Sequence, residues 1–178
     1  LELRVPKNMD EQSRAILLNS VEHTVDQFMQ RLLLAGEKSE ITAVNRIGHT
    51  VRMPISRETS NLLLLCRDFN QRTGGAYDIT TTPLACLWGF HGAPTPSREV
   101  SDDLLRATRQ TLGFNNLRLS KNTVELLTPH IRLNLDRIAP AYTVDLAIIR
   151  NRRLNYGSHL LALGPNVRAL GRPARTAA

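Results

Sequence analysis

Apolar and polar positions recur along this chain with two different periods. Val21, Val25, Phe28, Met29 and Leu32 are spaced by four, three, one and three, which lays one apolar stripe along a helix predicted from about Asp10 to Leu34, with Gly36 as its stop. Ser39-Glu40-Ile41 opens a short element, and Thr50 to Ile55 alternates as a brief strand does. Ser56 has the side chain to accept from the free amides of a new helix, and Glu58 falls in the first turn, where a carboxylate is favoured. That helix turns Leu62, Leu65, Cys66 and Phe69 inward and ends before Gly74. Ser101-Asp102-Asp103 caps another, carrying Leu105, Thr108 and Leu112 as far as Gly113. Leu117-Arg118-Leu119 and Val124 to Leu127 flank Ser120-Lys121-Asn122, a predicted hairpin turn, and Ile131 to Leu135 reads as a third alternating strand. A last helix is predicted from about Pro140 to Leu154, proline being tolerated in a first turn. Leu160 to Leu163, a Gly164-Pro165-Asn166 turn and Val167 to Leu170 close the pattern.

One stretch obeys neither period. From Gly74-Gly75-Ala76-Tyr77-Asp78 through Ile79-Thr80-Thr81-Thr82-Pro83-Leu84 to Leu87-Trp88-Gly89-Phe90, two glycines free the backbone, a carboxylate follows, and hydroxyl and proline positions interrupt any helical repeat. Either the glycines cap the preceding helix and Asp78 satisfies turn amides, or the segment is a site. Trp88, the only tryptophan, and Phe90 are expected to anchor it in the core. Gly92 to Pro96, with two prolines in three residues, reads as a loop.

Composition narrows the chemistry. A chain of 178 residues with 42% apolar content is long enough to bury a proper core. Formal net charge is +7, which favours an anionic partner. Basic residues gather loosely at Arg150 to Arg153 and at Arg168, Arg172 and Arg175, but aromatic residues make up only 4%, so there are few rings on which bases could stack. No nucleic-acid partner is expected. Cys66 and Cys86 match no disulfide, zinc or redox spacing, and the five histidines lie far apart, so no metal ligands are assigned among them. No apolar run reaches membrane-spanning length. The chain opens at Leu1 with no signal-peptide pattern, which leaves the compartment unread.

Four pieces, taken in order, resemble a known family. They are Ser39-Glu40-Ile41 with Val44-Asn45; the segment from Gly74 through Trp88-Gly89-Phe90; Ile138-Ala139 with Tyr142, Val144 and Asp145; and Gly164 with Val167-Arg168-Ala169-Leu170-Gly171. Their order and spacing from about Ser39 to Gly171 resemble the FAD:protein FMN transferase, or ApbE-like, family. The resemblance implies an α+β fold with helices packed on antiparallel or mixed sheet, and one ApbE-like domain over residues 1–178 that stops short of the family's C-terminal portion. It also implies a magnesium-dependent enzyme that splits FAD and moves FMN onto a threonine or serine of an acceptor protein. FAD or FMN and a flavin-acceptor protein are the implied partners. The bacterial cell envelope or periplasm is suggested by the family alone, and oligomeric state is not readable. Ala76, Tyr77 and Asp78 are the implied flavin contacts, joined by Asn134, Arg137 and Pro140 from the second motif; no catalytic residue is assigned.

That second motif departs from the family pattern. Asn134 replaces an aspartate, Arg137 stands where a magnesium-binding position is expected, Pro140 takes a polar flavin-contacting position, and Ala141 replaces a glycine. A guanidinium is a fixed cation, so the magnesium site looks lost. Gly164-Pro165 replaces paired glycines, and the family's D-x-x-x-T motif, expected well beyond the Gly171 position, is not reached by Ala178. The alternative to a transferase is therefore a non-catalytic relative that keeps the fold, and with it flavin or protein binding, without the magnesium site.

Overall fold

The computed structural model describes residues 1–33, 38–90, 100–152 and 159–171. The predicted stop at Gly36, the loop at Gly92 to Pro96 and the end of the last helix at Leu154 lie outside the described residues. The chain forms two compact units, Leu1–Arg31 with Asp136–Ala178, and Leu32–Leu135.

In the first unit the long apolar stripe becomes helix α1 (Glu11–Leu32), started by Asp10, whose Oδ1 accepts from the Ser13 amide at 2.8 Å. Helix α6 (Ala139–Asn151) lies in the same unit, with Pro140 in its first turn as the sequence predicts. Leu17, Val21 and Val25 pack with Val144, Ala147 and Ile148 and with Leu161 of the sheet. That sheet has the order β1-β5-β6, all antiparallel, with β1 at Glu2–Arg4, β5 at His159–Leu163 and β6 at Asn166–Leu170. Gly164 supplies the positive φ of 57° that a two-residue hairpin turn requires. Strand β1 is only three residues long, too short for alternation to betray it.

In the second unit, helix α2 (Glu40–Ile47) begins at Ser39, whose hydroxyl accepts from the Thr42 amide at 3.2 Å. Helix α3 (Arg57–Arg72) begins in the same way at Ser56, which accepts from the Thr59 amide. The two starts are tied together: Glu40 Oε2 accepts from both the amide and the hydroxyl of Ser56 at 3.0 Å. Leu62, Leu63 and Cys66 are buried along α3, with Leu63 taking a core place that periodicity would give to Leu65. The hairpin forms as predicted, from β3 (Leu117–Ser120) and β4 (Thr123–Leu126), and Asn122 at φ 56° turns it. Arg118 and Glu125 are paired across its exposed face at 2.9 Å. The strand expected over Thr50 to Ile55 shrinks to β2 (Met53–Pro54), which pairs with β4. Helix α5 (Asp102–Gln110) has Ser101 as its cap, and Gly113 follows at φ 96°.

Two elements differ from the sequence reading. Thr82–Leu87 forms a six-residue helix, α4, where hydroxyl and proline positions argue against one; Pro83 sits in its first turn, the one place a helix accepts it. Ile131 to Leu135 is extended, with Ile131, Leu133 and Leu135 fully buried, yet it joins no ladder beyond a single parallel bridge from Arg132 to Thr81. Its backbone is satisfied by a side chain instead. Asn45 Oδ1 accepts from the Leu133 amide at 2.8 Å, and Asn45 Nδ2 donates to the Leu133 carbonyl at 2.9 Å. No helix among the described residues is long and apolar enough to cross a membrane.

Asn45→Ala removes both bonds and strands a buried amide and a buried carbonyl, each costing about 1–3 kcal/mol. The expected result is a clear drop in urea midpoint, larger than that of Asn166→Ala at the β5–β6 turn, where Asn166 bonds only the nearby Leu163 carbonyl.

Candidate functional site

The glycine pair first ends a helix. Thr73 closes α3 by donating from its amide to Phe69, and Gly75 donates to Asn70 at 2.8 Å, with φ values of 60° and 87° at Gly74 and Gly75. The remaining amides are used as well: Gly74 donates to Gln71, Ala76 to the Thr73 carbonyl at 3.2 Å, and Tyr77 to the Thr73 hydroxyl at 3.0 Å. Four successive amides that could have cradled a phosphate are therefore engaged within the chain. Ala76 itself is exposed.

Tyr77 is half-buried and held on two sides. Its ring meets Phe69 edge to face with centroids 5.9 Å apart, and its hydroxyl lies 3.6 Å from the Cys66 sulfur. Burial pushes the Cys66 thiol from 9.0 up to about 11, with the Tyr77 contact pulling weakly the other way. Burial also raises the Tyr77 phenol above its ordinary 10.0, helped by the bond to Cys66 and by negative charge at Cys66 and Asp78.

Asp78 governs a turn. Its Oδ1 accepts from the Thr80 amide at 2.8 Å and from the Thr80 hydroxyl at 2.7 Å. That hydroxyl oxygen, fully buried, accepts in turn from the Gly113 amide at 2.7 Å. The second carboxylate oxygen has no partner among the described residues. Thr82 Oγ1 nearby in sequence is buried with no hydrogen bond.

Asn134 reaches the same segment through its backbone, donating to the Ile79 carbonyl at 2.8 Å. The structure thus joins Asn134 to the residues just after Asp78. Arg137 and Pro140 belong to the other unit, where Arg137 is exposed in the turn before α6 and Pro140 is half-buried in its first turn. Trp88 and Phe90 correct the sequence expectation. They are 54% and 65% exposed, and the preceding α4 buries none of its residues. Sequence reasoning also missed Thr80, whose hydroxyl bonds to both Asp78 and Gly113, and Glu40, whose link to Ser56 spans sixteen residues.

The described residues fit a magnesium ion poorly. Magnesium takes six oxygen ligands, whereas one Asp78 oxygen is already engaged by Thr80 and a guanidinium at Arg137 has no lone pair to offer. Among the described residues, no group of three or more His, Cys, Asp or Glu side chains is placed to hold a metal ion.

Helices packed with small antiparallel sheets define an α+β protein. Solved structures with this fold include the flavin transferase ApbE from Vibrio cholerae, with TM-score 0.80 at 22% identity over 96% of this chain and 54% of that one. The apo flavinyl transferase ApbE of Pseudomonas stutzeri gives 0.79 at 24% identity, over 95% and 53%. By sequence, the FAD:protein FMN transferase of Vibrio cholerae is 23% identical over 155 residues, 87% of this chain and 46% of its own length. That of Haemophilus influenzae is 26% identical over 140 residues, 75% and 40%. The sequence pattern of the ApbE family matches residues 2–177, and the chain belongs to that family. It spans about half the length of the curated relatives it matches.

The raised thiol gives a testable pH dependence. A folded-state pKa above the unfolded value means that the contribution of Cys66 is fully present below pH 9 and is lost as pH rises through about 11. Between those values stability should fall with rising pH on account of this group. Urea titrations at pH 8.5, 9.5 and 10.5 should show a shallower decline in Cys66→Ala than in the parent chain.

Proposed function

We propose that this chain is the flavin-holding part of an FAD:protein FMN transferase, moving FMN from FAD to a threonine or serine of an acceptor protein. Family membership and the shared fold support a transferase-like function. The observation that carries the finer reading is the Asn134-to-Ile79 hydrogen bond, which fastens one end of the second family motif to the Ala76-Tyr77-Asp78 segment.

In this reading Ala76, Tyr77, Asp78, Asn134, Arg137 and Pro140 contact flavin. Exposed Ala76 admits the ligand beside the chain, the free edge of Tyr77 offers apolar surface, and the second Asp78 oxygen accepts a hydrogen bond from the ligand. Arg137, a fixed cation, is the residue assigned to phosphate charge. The described residues offer no adequate set of magnesium ligands, so no transfer step is assigned to them.

That same poverty of metal ligands favours a second reading: a family relative that binds flavin without transferring it. One experiment separates the two. The 178-residue chain is incubated with FAD, magnesium and a flavin-acceptor protein, and covalent flavin is followed by in-gel fluorescence. Labelled acceptor supports transfer. Absence of label together with saturable quenching of FAD fluorescence supports binding alone, and absence of both sinks the flavin reading. Binding by Arg137 is expected to be independent of magnesium and to weaken about tenfold in Arg137→Ala, in keeping with the worth of a charged hydrogen bond. Binding that requires magnesium would count against the assignment of Arg137.

A further inference from the structure

Three successive carbonyls beside Asp78 are each held by a different donor. Asn70 Nδ2 donates to the Tyr77 carbonyl at 2.7 Å, the Thr81 hydroxyl to the Asp78 carbonyl at 3.2 Å, and the Asn134 amide to the Ile79 carbonyl at 2.8 Å. Asn70 comes from α3, and Asn134 from the extended segment that follows Leu133. The main chain carrying Asp78 is therefore pinned from both sides. The freedom left at that residue is the rotation of its own carboxylate.

Thr80 removes that freedom. It is fully buried, and its amide and hydroxyl both donate to Asp78 Oδ1, at 2.8 and 2.7 Å. Its oxygen accepts from the Gly113 amide at 2.7 Å, 33 residues further along the chain. The direction of each bond is set by chemistry. A carboxylate accepts and a backbone amide donates, so the one hydroxyl proton of Thr80 points at Asp78 and a lone pair points at Gly113. Neither partner can exchange roles, and the hydroxyl cannot rotate without losing one of them. Two donors on Oδ1 turn the other carboxylate oxygen away from Thr80. Asp78 is partly exposed, and that second oxygen has no partner among the described residues.

An oxygen held in this way selects what it meets. It repels phosphate oxygens and accepts from a hydroxyl or an N–H. FAD carries such donors on its sugar and ribityl hydroxyls and on its ring nitrogens, and none on its pyrophosphate.

We propose that Thr80 is a positioning residue for the flavin segment: by holding Asp78 Oδ1, it aims the second carboxylate oxygen at a hydroxyl or N–H of the bound flavin rather than at its phosphates. The role rests on the assignment of Asp78 as a flavin contact.

The test follows quenching of FAD fluorescence and the urea midpoint in the full 178-residue chain and its variants. Asp78→Asn is the sharpest arm. In that variant the two Thr80 donors hold the side-chain oxygen, and the NH2 group is left facing the ligand, donor against donor. FAD should bind about tenfold or more weakly than in the parent chain and no more tightly than in Asp78→Ala, in keeping with the worth of a charged hydrogen bond. The urea midpoint should stay above that of Asp78→Ala, because the turn bonds persist. Tighter FAD binding in Asp78→Asn than in Asp78→Ala would mean that the side chain is free to turn its oxygen outward, and would overturn the role. Thr80→Val strands the Gly113 amide and lowers the midpoint in either background. Its effect on FAD, a several-fold loss in the parent chain, should vanish in the Asp78→Ala background, where nothing remains to be aimed. Thr80→Ser, which restores the hydroxyl, should recover most of the lost affinity. An FAD affinity unchanged by Thr80→Val, or a loss that persists alongside Asp78→Ala, would make Thr80 a structural residue only. If Thr80→Val does not fold, the comparison of Asp78→Asn with Asp78→Ala decides alone. No quenching by the parent chain sinks the flavin reading and this role together, whereas FAD binding indifferent to position 80 sinks the role and leaves the flavin reading standing.

Discussion

The second unit depends on a single side chain doing the work of a neighbouring strand. Asn45 bonds both the amide and the carbonyl of Leu133, 88 residues away. Buried backbone polar groups must find partners, and Leu133 lies in a segment whose alternate side chains are fully buried. Because Asn45 satisfies Leu133, the segment can run through the core without a complete ladder, and its next residue, Asn134, is free to bond Ile79. The arrangement after Asp78 follows from that choice. An apolar residue at position 45 would bury as well, but it would leave two backbone groups unmet.

The same economy of polar groups shapes the candidate site. Asp78 spends one oxygen on Thr80, Thr80 passes the network to Gly113, and the amides of the glycine turn are consumed in ending α3. What remains for a ligand is narrow: one carboxylate oxygen, part of a ring and an exposed alanine. The segment therefore has a structural duty first. Its glycines, Thr73, Asp78 and Thr80 are used first in ending the helix and forming the turn.

Much was legible from local signals. Ser39, Ser56 and Ser101 cap helices because a short hydroxyl side chain reaches amides two or three residues on. Asn122 and Gly164 turn hairpins because they tolerate positive φ. The stripe from Val21 to Leu32 is buried as its spacing requires. Less legible were β1 and β2, too short to show a period, and α4, where hydroxyls and a proline in a first turn imitate a loop. Trp88 and Phe90 misled because large aromatic rings are usually inside, and nothing in their neighbourhood announces that α4 lies at the surface.

The sequence alone determined the helix starts, the hairpin turns, the apolar stripe of α1 and, through its ordered motifs, membership of the ApbE family. These are settled within a few residues of chain, by dihedral preference and by the reach of short side chains. Only the tertiary structure decided that Asn45 replaces a strand beside Leu133, that Glu40 ties two helix starts together, and that Asp78 is partly occupied. Each of those depends on which distant groups meet once the core has closed. Hydrogen-bond satisfaction in a buried environment is a property of the closed core, and no local pattern encodes it.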